Sequence, residues 1–145
     1  MKLSILLMTL IGVMFFSCKK SASDAVSTSL EGTWKMILVK DNATNASITK
    51  PSSIKGDVII TFVPKSSTTG TFTGVTPSNR FGPNDYSIGP NQVISLHGLS
   101  MTEVNETSWG AQFADNIGAV QQYSFETGGI LNIRTTNKTL AFKKQ

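Results

Sequence analysis

Between Glu31 and Lys143 the hydrophobic residues recur in short runs of period two, broken every few residues by Gly, Pro or Asn. Such a chain can bury its apolar side chains only by pairing short strands antiparallel and folding the sheet over a shared core. The first run sets the pattern. In Gly32-Thr33-Trp34-Lys35-Met36-Ile37-Leu38-Val39, strict alternation directs Trp34, Met36 and Leu38 to one side and Thr33, Lys35 and Ile37 to the other. Gly32 lets the chain turn sharply as it lays the Trp34 ring against the end of a barrel or sandwich.

Further strands are expected at Asp57–Val63, stopped by Pro64, at Thr69–Val75, at Asp85–Gly89 and at Gln92–Leu99. The near-continuous apolar run Val58-Ile59-Ile60 implies burial on both faces of its strand. Residues 41–56 and 76–84 read as loops. The period changes at Ser108. Trp109, Phe113 and Ile117 recur every four residues, with Ala114 and Val120 on the same stripe, which predicts one amphipathic helix capped by Thr107 or Ser108. Strands resume at Gln121–Thr127 and Ile130–Thr135 around a Gly128-Gly129 hairpin turn, and at Thr139–Lys143. The expectation is a mainly β domain: an antiparallel sheet or small barrel of about eight short strands, with one helix between strands five and six.

The N-terminal region has a different character. Lys2 precedes an apolar run from Leu3 to Phe16, too short for a spanning helix, which needs about 20 residues, and long enough for a secretory signal. It ends at Ser17-Cys18, and Cys18 is the only cysteine. Phe15-Phe16-Ser17-Cys18 resembles the lipobox of bacterial lipoproteins, although Phe15 stands where Leu is usual. The resemblance implies cleavage before Cys18, its diacylation, and anchoring through lipid. A conventional signal peptide leaving a free thiol is the alternative reading. The expected organisation is a signal over 1–17, lipidated Cys18 and a Ser-rich tether over 18–29, and one domain over 30–145. Lys19 directly after the cysteine fits outer-membrane sorting, with the periplasmic side preferred to the cell surface.

Charge excludes one class of partner. Lys2 is the only charged residue of the first 17, so the rest carries 12 basic and 9 acidic side chains. The excess comes from Lys19, Lys20, Lys143 and Lys144 near the two ends, which leaves no basic face for nucleic acid.

The order and spacing of several short motifs resemble the META domain, the HslJ-like family of bacterial envelope proteins, over about residues 30–142. They are Gly32-Thr33-Trp34, Ile60-Thr61-Phe62, Gly74 through Asn79 to Tyr86, Leu99 to Thr102, Tyr123, Leu131-Asn132-Ile133 and Leu140-Ala141-Phe142. The resemblance implies an envelope protein associated with stress, with no catalytic residue to transfer. Many members carry a cysteine pair that this chain lacks. A second resemblance, to lipocalin-like proteins, rests on Gly32-Thr33-Trp34 and on Arg134, which could lie under the Trp34 ring. It implies a calyx for a small apolar ligand. A helix before the last strands, and the small space that short strands enclose, weigh against it.

Few residues invite chemistry. His97 is the only histidine, and no acid lies at metal-binding spacing from it. No Gly-X-Ser-X-Gly elbow is present. Glu103 and Glu106 read as solvated loop acids before the helix. The most distinctive loop is Asn79-Arg80-Phe81-Gly82-Pro83-Asn84-Asp85, so Asn79, Arg80, Phe81 and Asp85 are the candidate binding residues; a structural turn is the competing reading. The functional expectation is a non-enzymatic lipoprotein domain, without metal or cofactor, that binds or stabilises an envelope protein partner. A lipocalin-like carrier, or a hydrolase inhibitor presenting Arg80-Phe81 as a wedge, are the alternatives.

Overall fold

The computed structural model describes residues 29–145. The expected signal over 1–17, Cys18 and nearly all of the tether lie outside the described residues. From there the chain forms β1 (Gly32–Asp41), β2 (Ser47–Thr49), β3 (Ile59–Pro64), β4 (Thr69–Val75), β5 (Arg80–Ile88), β6 (Ile94–His97), α1 (Ser108–Ile117), β7 (Val120–Glu126), β8 (Ile130–Thr135) and β9 (Lys138–Lys144). All pairings are antiparallel, in the order β6-β5-β4-β3-β1-β9-β8-β7, with β2 paired to β1. The two ends of this sheet meet where Val93 bridges Gln122, and the Gln122 amide donates to the Asn91 carbonyl at 2.7 Å. The result is a nearly closed β-barrel with one helix.

Three expectations about the elements are corrected. Residues 41–56 are not all loop, because β2 pairs with the end of β1; the strand count is nine and α1 follows the sixth strand. The segment from Arg80 is strand, because β5 reaches back along β4 as far as the Val75–Arg80 pair. And β3 is not buried on both faces. Ile60 and Phe62 point inward, while Val63 is 54% exposed, so barrel alternation prevails over the apolar run.

The interior is solid. Trp34, Met36, Ile60, Phe62, Phe72, Ile94, Trp109, Phe113, Ile117, Leu131, Ile133 and Phe142 are each under 2% exposed. Each such side chain gains about 1.5–3 kcal/mol from leaving water. Gly70 and Gly74 make room for this packing. A Cβ on Gly70 would meet the Tyr86 ring at 2.5 Å, and one on Gly74 would meet the Ile59 carbonyl oxygen at 2.1 Å and the Phe81 ring at 2.3 Å. Each ring therefore lies across the bare backbone of its cross-strand partner.

The helix has the expected stripe. Thr107 is its N-cap, with Oγ1 accepting from the Gly110 amide at 3.1 Å, and Trp109, Phe113 and Ile117 are buried. Phe113 stacks on Phe81 with centroids 5.0 Å apart and meets the edge of Phe142 at 6.4 Å. Val120, expected on the same stripe, instead begins β7 and packs against the core from there. Around Trp34, Nε1 donates to the Leu30 carbonyl at 2.7 Å and Phe125 packs at 5.9 Å. The cation over the Trp34 ring is Lys144, at 5.3 Å, and not Arg134. The β1–β9 register makes Lys144 the direct neighbour of Trp34, whereas Arg134 is exposed on the outer face of β8.

Candidate functional site

The four residues expected to form a binding loop are divided by β5. Side chains alternate along a regularly paired strand, so consecutive residues such as Arg80 and Phe81 face opposite sides. Phe81 faces inward and is 3% exposed. It is committed to Phe113 and Phe72, so the Arg80-Phe81 pair cannot act as a wedge. Arg80 is exposed beside Gly82, Ser100, Met101 and Thr102, around a shallow depression. Asp85 is exposed and pairs with Lys65 at 2.9 Å.

Asn79 is buried and ties three segments together. Its Oδ1 accepts from Thr102 Oγ1 and the Val104 amide, both at 2.9 Å. Its Nδ2 donates to the Val104 carbonyl at 2.8 Å and to Glu106 Oε2 at 2.9 Å. Thr76 Oγ1 also donates to Glu106 Oε2. The other Glu106 oxygen accepts from the Thr107 amide at 2.8 Å, directly before the helix. Glu106 is thus an anchor and not a solvated loop acid. Burial pushes its carboxyl up, but hydrogen bonds from Asn79, Thr76, Thr107 and Ser78 together outweigh this and hold it below its ordinary value. Every polar atom of the Asn79 side chain is occupied, so this cluster fixes the loop before β5 to the approach of α1 and has no group left to offer a ligand.

The remaining candidates are simple. His97 is exposed, its Nε2 3.0 Å from Ser87 Oγ, and Glu103 is exposed. Among the described residues no three His, Cys, Asp or Glu side chains come together to hold a metal ion. No described helix is long and apolar enough to cross a membrane.

The site that sequence reasoning missed lies on the outside of β1, β9 and β8. An open groove of about 640 Å³ runs there, walled on one side by the β1–β2 hairpin and reaching on the other to β8 and Glu126 of β7. Its floor is Ile37, Leu38, Ala141 and Ile130. A β-bulge makes this floor. Met36 pairs with Phe142 and Leu38 with Ala141, leaving Ile37 as an extra residue in β1. Trp34, Met36 and Val39 are therefore the inward residues of β1, and Leu38, expected inside, lines the groove instead.

One cross-strand row spans the upper part of the groove: Ser47, Lys40, Thr139 and Arg134 stand opposite one another in turn. Adjacent strands are about 4.8 Å apart, so Lys40 and Arg134 are separated by about 10 Å across Thr139. The row below holds Leu38, Ala141 and Asn132. The groove's single acid, Glu126, accepts from the Asn132 amide at 2.7 Å. Four ion pairs occur among the described residues, joining Lys35 and Lys50 to Asp57, Lys65 to Asp85 and Lys138 to Asp41. Neither Lys40 nor Arg134 takes part. The Asp41 carboxyl, held well below the usual carboxylate range by Lys138 and then by Thr44, is already engaged at the hairpin. Asn42 is engaged as well, receiving Thr139 Oγ1 at 2.8 Å and donating to the Thr135 carbonyl at 3.1 Å.

No family model matches this chain, and no curated protein matches it. Among solved structures, the NMR structure of a protein from Burkholderia xenovorans aligns at 16% identity and a TM-score of 0.49, over 79% of this chain and 82% of that one.

Proposed function

We propose that this protein is a lipid-anchored envelope protein whose β domain is a non-catalytic binding module, using the groove outside β1, β9 and β8 to contact its partner. The observation that carries this reading is the pairing of a filled interior with an open outer groove. Trp34, Phe62, Phe72, Ile94 and Leu140 are buried inside the barrel and Tyr123 is packed against them, which leaves the enclosed space to the protein itself. A carrier of the lipocalin type needs that space for its ligand. The concave surface instead faces solvent, with an aliphatic floor and a polar rim. The anchor is inferred from Cys18 directly after the apolar run, and a META-like, stress-related envelope role from the order of motifs between Gly32 and Phe142. An outer-membrane address is inferred from Lys19, and the periplasmic side from the lack of an acidic cluster in the sequence after Cys18.

Two measurements test the reading. Labelled palmitate should enter the wild-type protein, and Cys18→Ser should abolish both labelling and membrane retention; a Cys18→Ser protein that is processed and retained as before ends the anchoring claim. The melting temperature of the mature protein should not change with added fatty acids, retinoids or haem. A ligand bound only to the folded state adds about 2.7 kcal/mol at a hundredfold excess over its Kd. A saturable shift therefore restores the carrier reading.

A further inference from the structure

We infer that the groove receives an extended acidic segment of a partner protein, with carboxylates at the Lys40–Arg134 row and an aliphatic residue seated over Leu38 and Ala141. The inference rests on the domain being a binding module and names the chemistry of what it binds.

Charge complementarity is the first argument. Every ion-paired cation among the described residues lies outside the groove, and the two that line it have no acid within salt-bridge distance. Two cations whose backbones stand about 10 Å apart are matched by acids four residues apart, which share one face of an extended peptide. Those acids lie about 13 Å apart at about 3.3 Å per residue, and the long Lys and Arg side chains span the difference. Glu126, at the far end of the groove, gives the site a polarity. Along β8 it stands beside Ile130, two rows from Arg134. An acidic segment is attracted to the Lys40–Arg134 row and repelled from the Glu126 end, which places its carboxylates over the cations.

The floor supplies the second argument. It is aliphatic, and no aromatic ring lines the groove, so a sugar has no face to stack upon. The bulge at Ile37 brings two adjacent aliphatic residues of β1 to the outer surface beside Ala141. That patch suits a Leu, Ile or Val side chain between the acids. The amides of Asn45 and Asn132 on the rim suit peptide carbonyl and N–H groups.

The test uses the mature full-length protein in detergent and fluorescent ten-residue peptides carrying Glu-x-Leu-x-Glu, read by anisotropy. The Glu peptide should bind more tightly at low salt, and its Gln counterpart about tenfold more weakly, as expected for charges steering a docked ligand. The double variant Lys40→Glu/Arg134→Glu should lose the Glu peptide by at least about tenfold with an unchanged melting temperature, whereas Thr71→Glu on the opposite face should not alter binding. Equal binding of the Glu and Gln peptides, or binding that survives the double reversal, overturns the inference. So does a preference of the groove for oligogalacturonate or for phosphatidylglycerol vesicles over the peptide. Crosslinking in cells separates this inference from the reading beneath it. If wild type and double variant capture the same envelope protein, the module binds elsewhere and only the groove assignment falls. If neither captures a partner, the binding-module reading falls with it.

Discussion

The two halves of the barrel wall have the same interior and opposite exteriors. On the β3–β4–β5–β6 half, the outward rows are Thr61 and Thr73, continued by Thr33 of β1, then Val63, Thr71, Asp85 and His97. The polar groups of that face largely satisfy one another: Thr33 and Thr61 hydroxyls are 3.0 Å apart, Asp85 meets Lys65, and His97 meets Ser87. On the β1–β9–β8 half Lys40 and Arg134 stand without an ion-pair partner among the described residues above an aliphatic floor, and the β1–β2 hairpin walls them into a groove. Inward positions must fill one shared core and are chosen by volume and apolarity. Outward positions carry no such duty, so a difference between two outer faces is where a binding preference can be written at little cost in stability.

The largest effect should come from what the halves share. Phe113→Ala removes the ring that meets Phe81 of one half and Phe142 of the other, and should cost about 3–5 kcal/mol in chemical denaturation. Gln112→Ala, on the half-buried side of α1, should stay within about 0.5 kcal/mol. Similar small losses at both positions would mean that the helix does not unite the two halves.

An intermediate effect belongs to the anchor before the helix. Glu106 has a lower pKa folded than its ordinary 4.5, so below that pH the unfolded chain binds the extra proton. Its contribution is complete above about pH 4.5 and disappears as pH falls through the lower folded value. Asp41 and Asp57 shift in the same direction, so the acid loss in wild type is shared among them. Glu106→Gln should therefore flatten, without abolishing, the fall in melting temperature between about pH 5 and pH 3. Superimposable wild-type and variant profiles would remove Glu106 from the stability of this end of the barrel.

The smallest effects should be those of the outer faces on folding. Arg134→Ala and Thr71→Ala should each change stability by no more than about 0.5 kcal/mol. Among the described residues Arg134 has no acid to lose, and the Thr71 side chain has no hydrogen bond to break. A loss of about 3 kcal/mol or more at Arg134, on the order of a broken buried pair, would make the groove a structural feature and blunt the contrast between the two faces.

Much of the architecture was legible because it depends on local pattern. The Trp109, Phe113, Ile117 stripe named the helix, and its cap was narrowed to Thr107 or Ser108, of which the structure uses Thr107. Gly128-Gly129 named the hairpin, with φ of 78° and 68° that favour glycine at both turn positions. The site was legible only in part. Asn79, Arg80, Phe81 and Asp85 looked like one loop because Gly82 and Pro83 sit among them. Strand β4 captured the segment instead, and pairing turned neighbours in sequence toward opposite sides of the wall.

Alternation, turn residues and one helical stripe are properties of consecutive residues, and by themselves they determined that this chain is an antiparallel β domain with a single packed helix. The groove was decided by tertiary structure. Lys40, Thr139 and Arg134 are brought into one row only by the β1–β9 and β8–β9 registers. Ile37 and Leu38 join the same outer face only because a bulge adds a residue opposite the step from Phe142 to Ala141. Register and bulges are set by which packing of the whole sheet closes the barrel over its core. No window of neighbouring residues contains that information, because the competing registers differ in contacts between positions up to about a hundred residues apart.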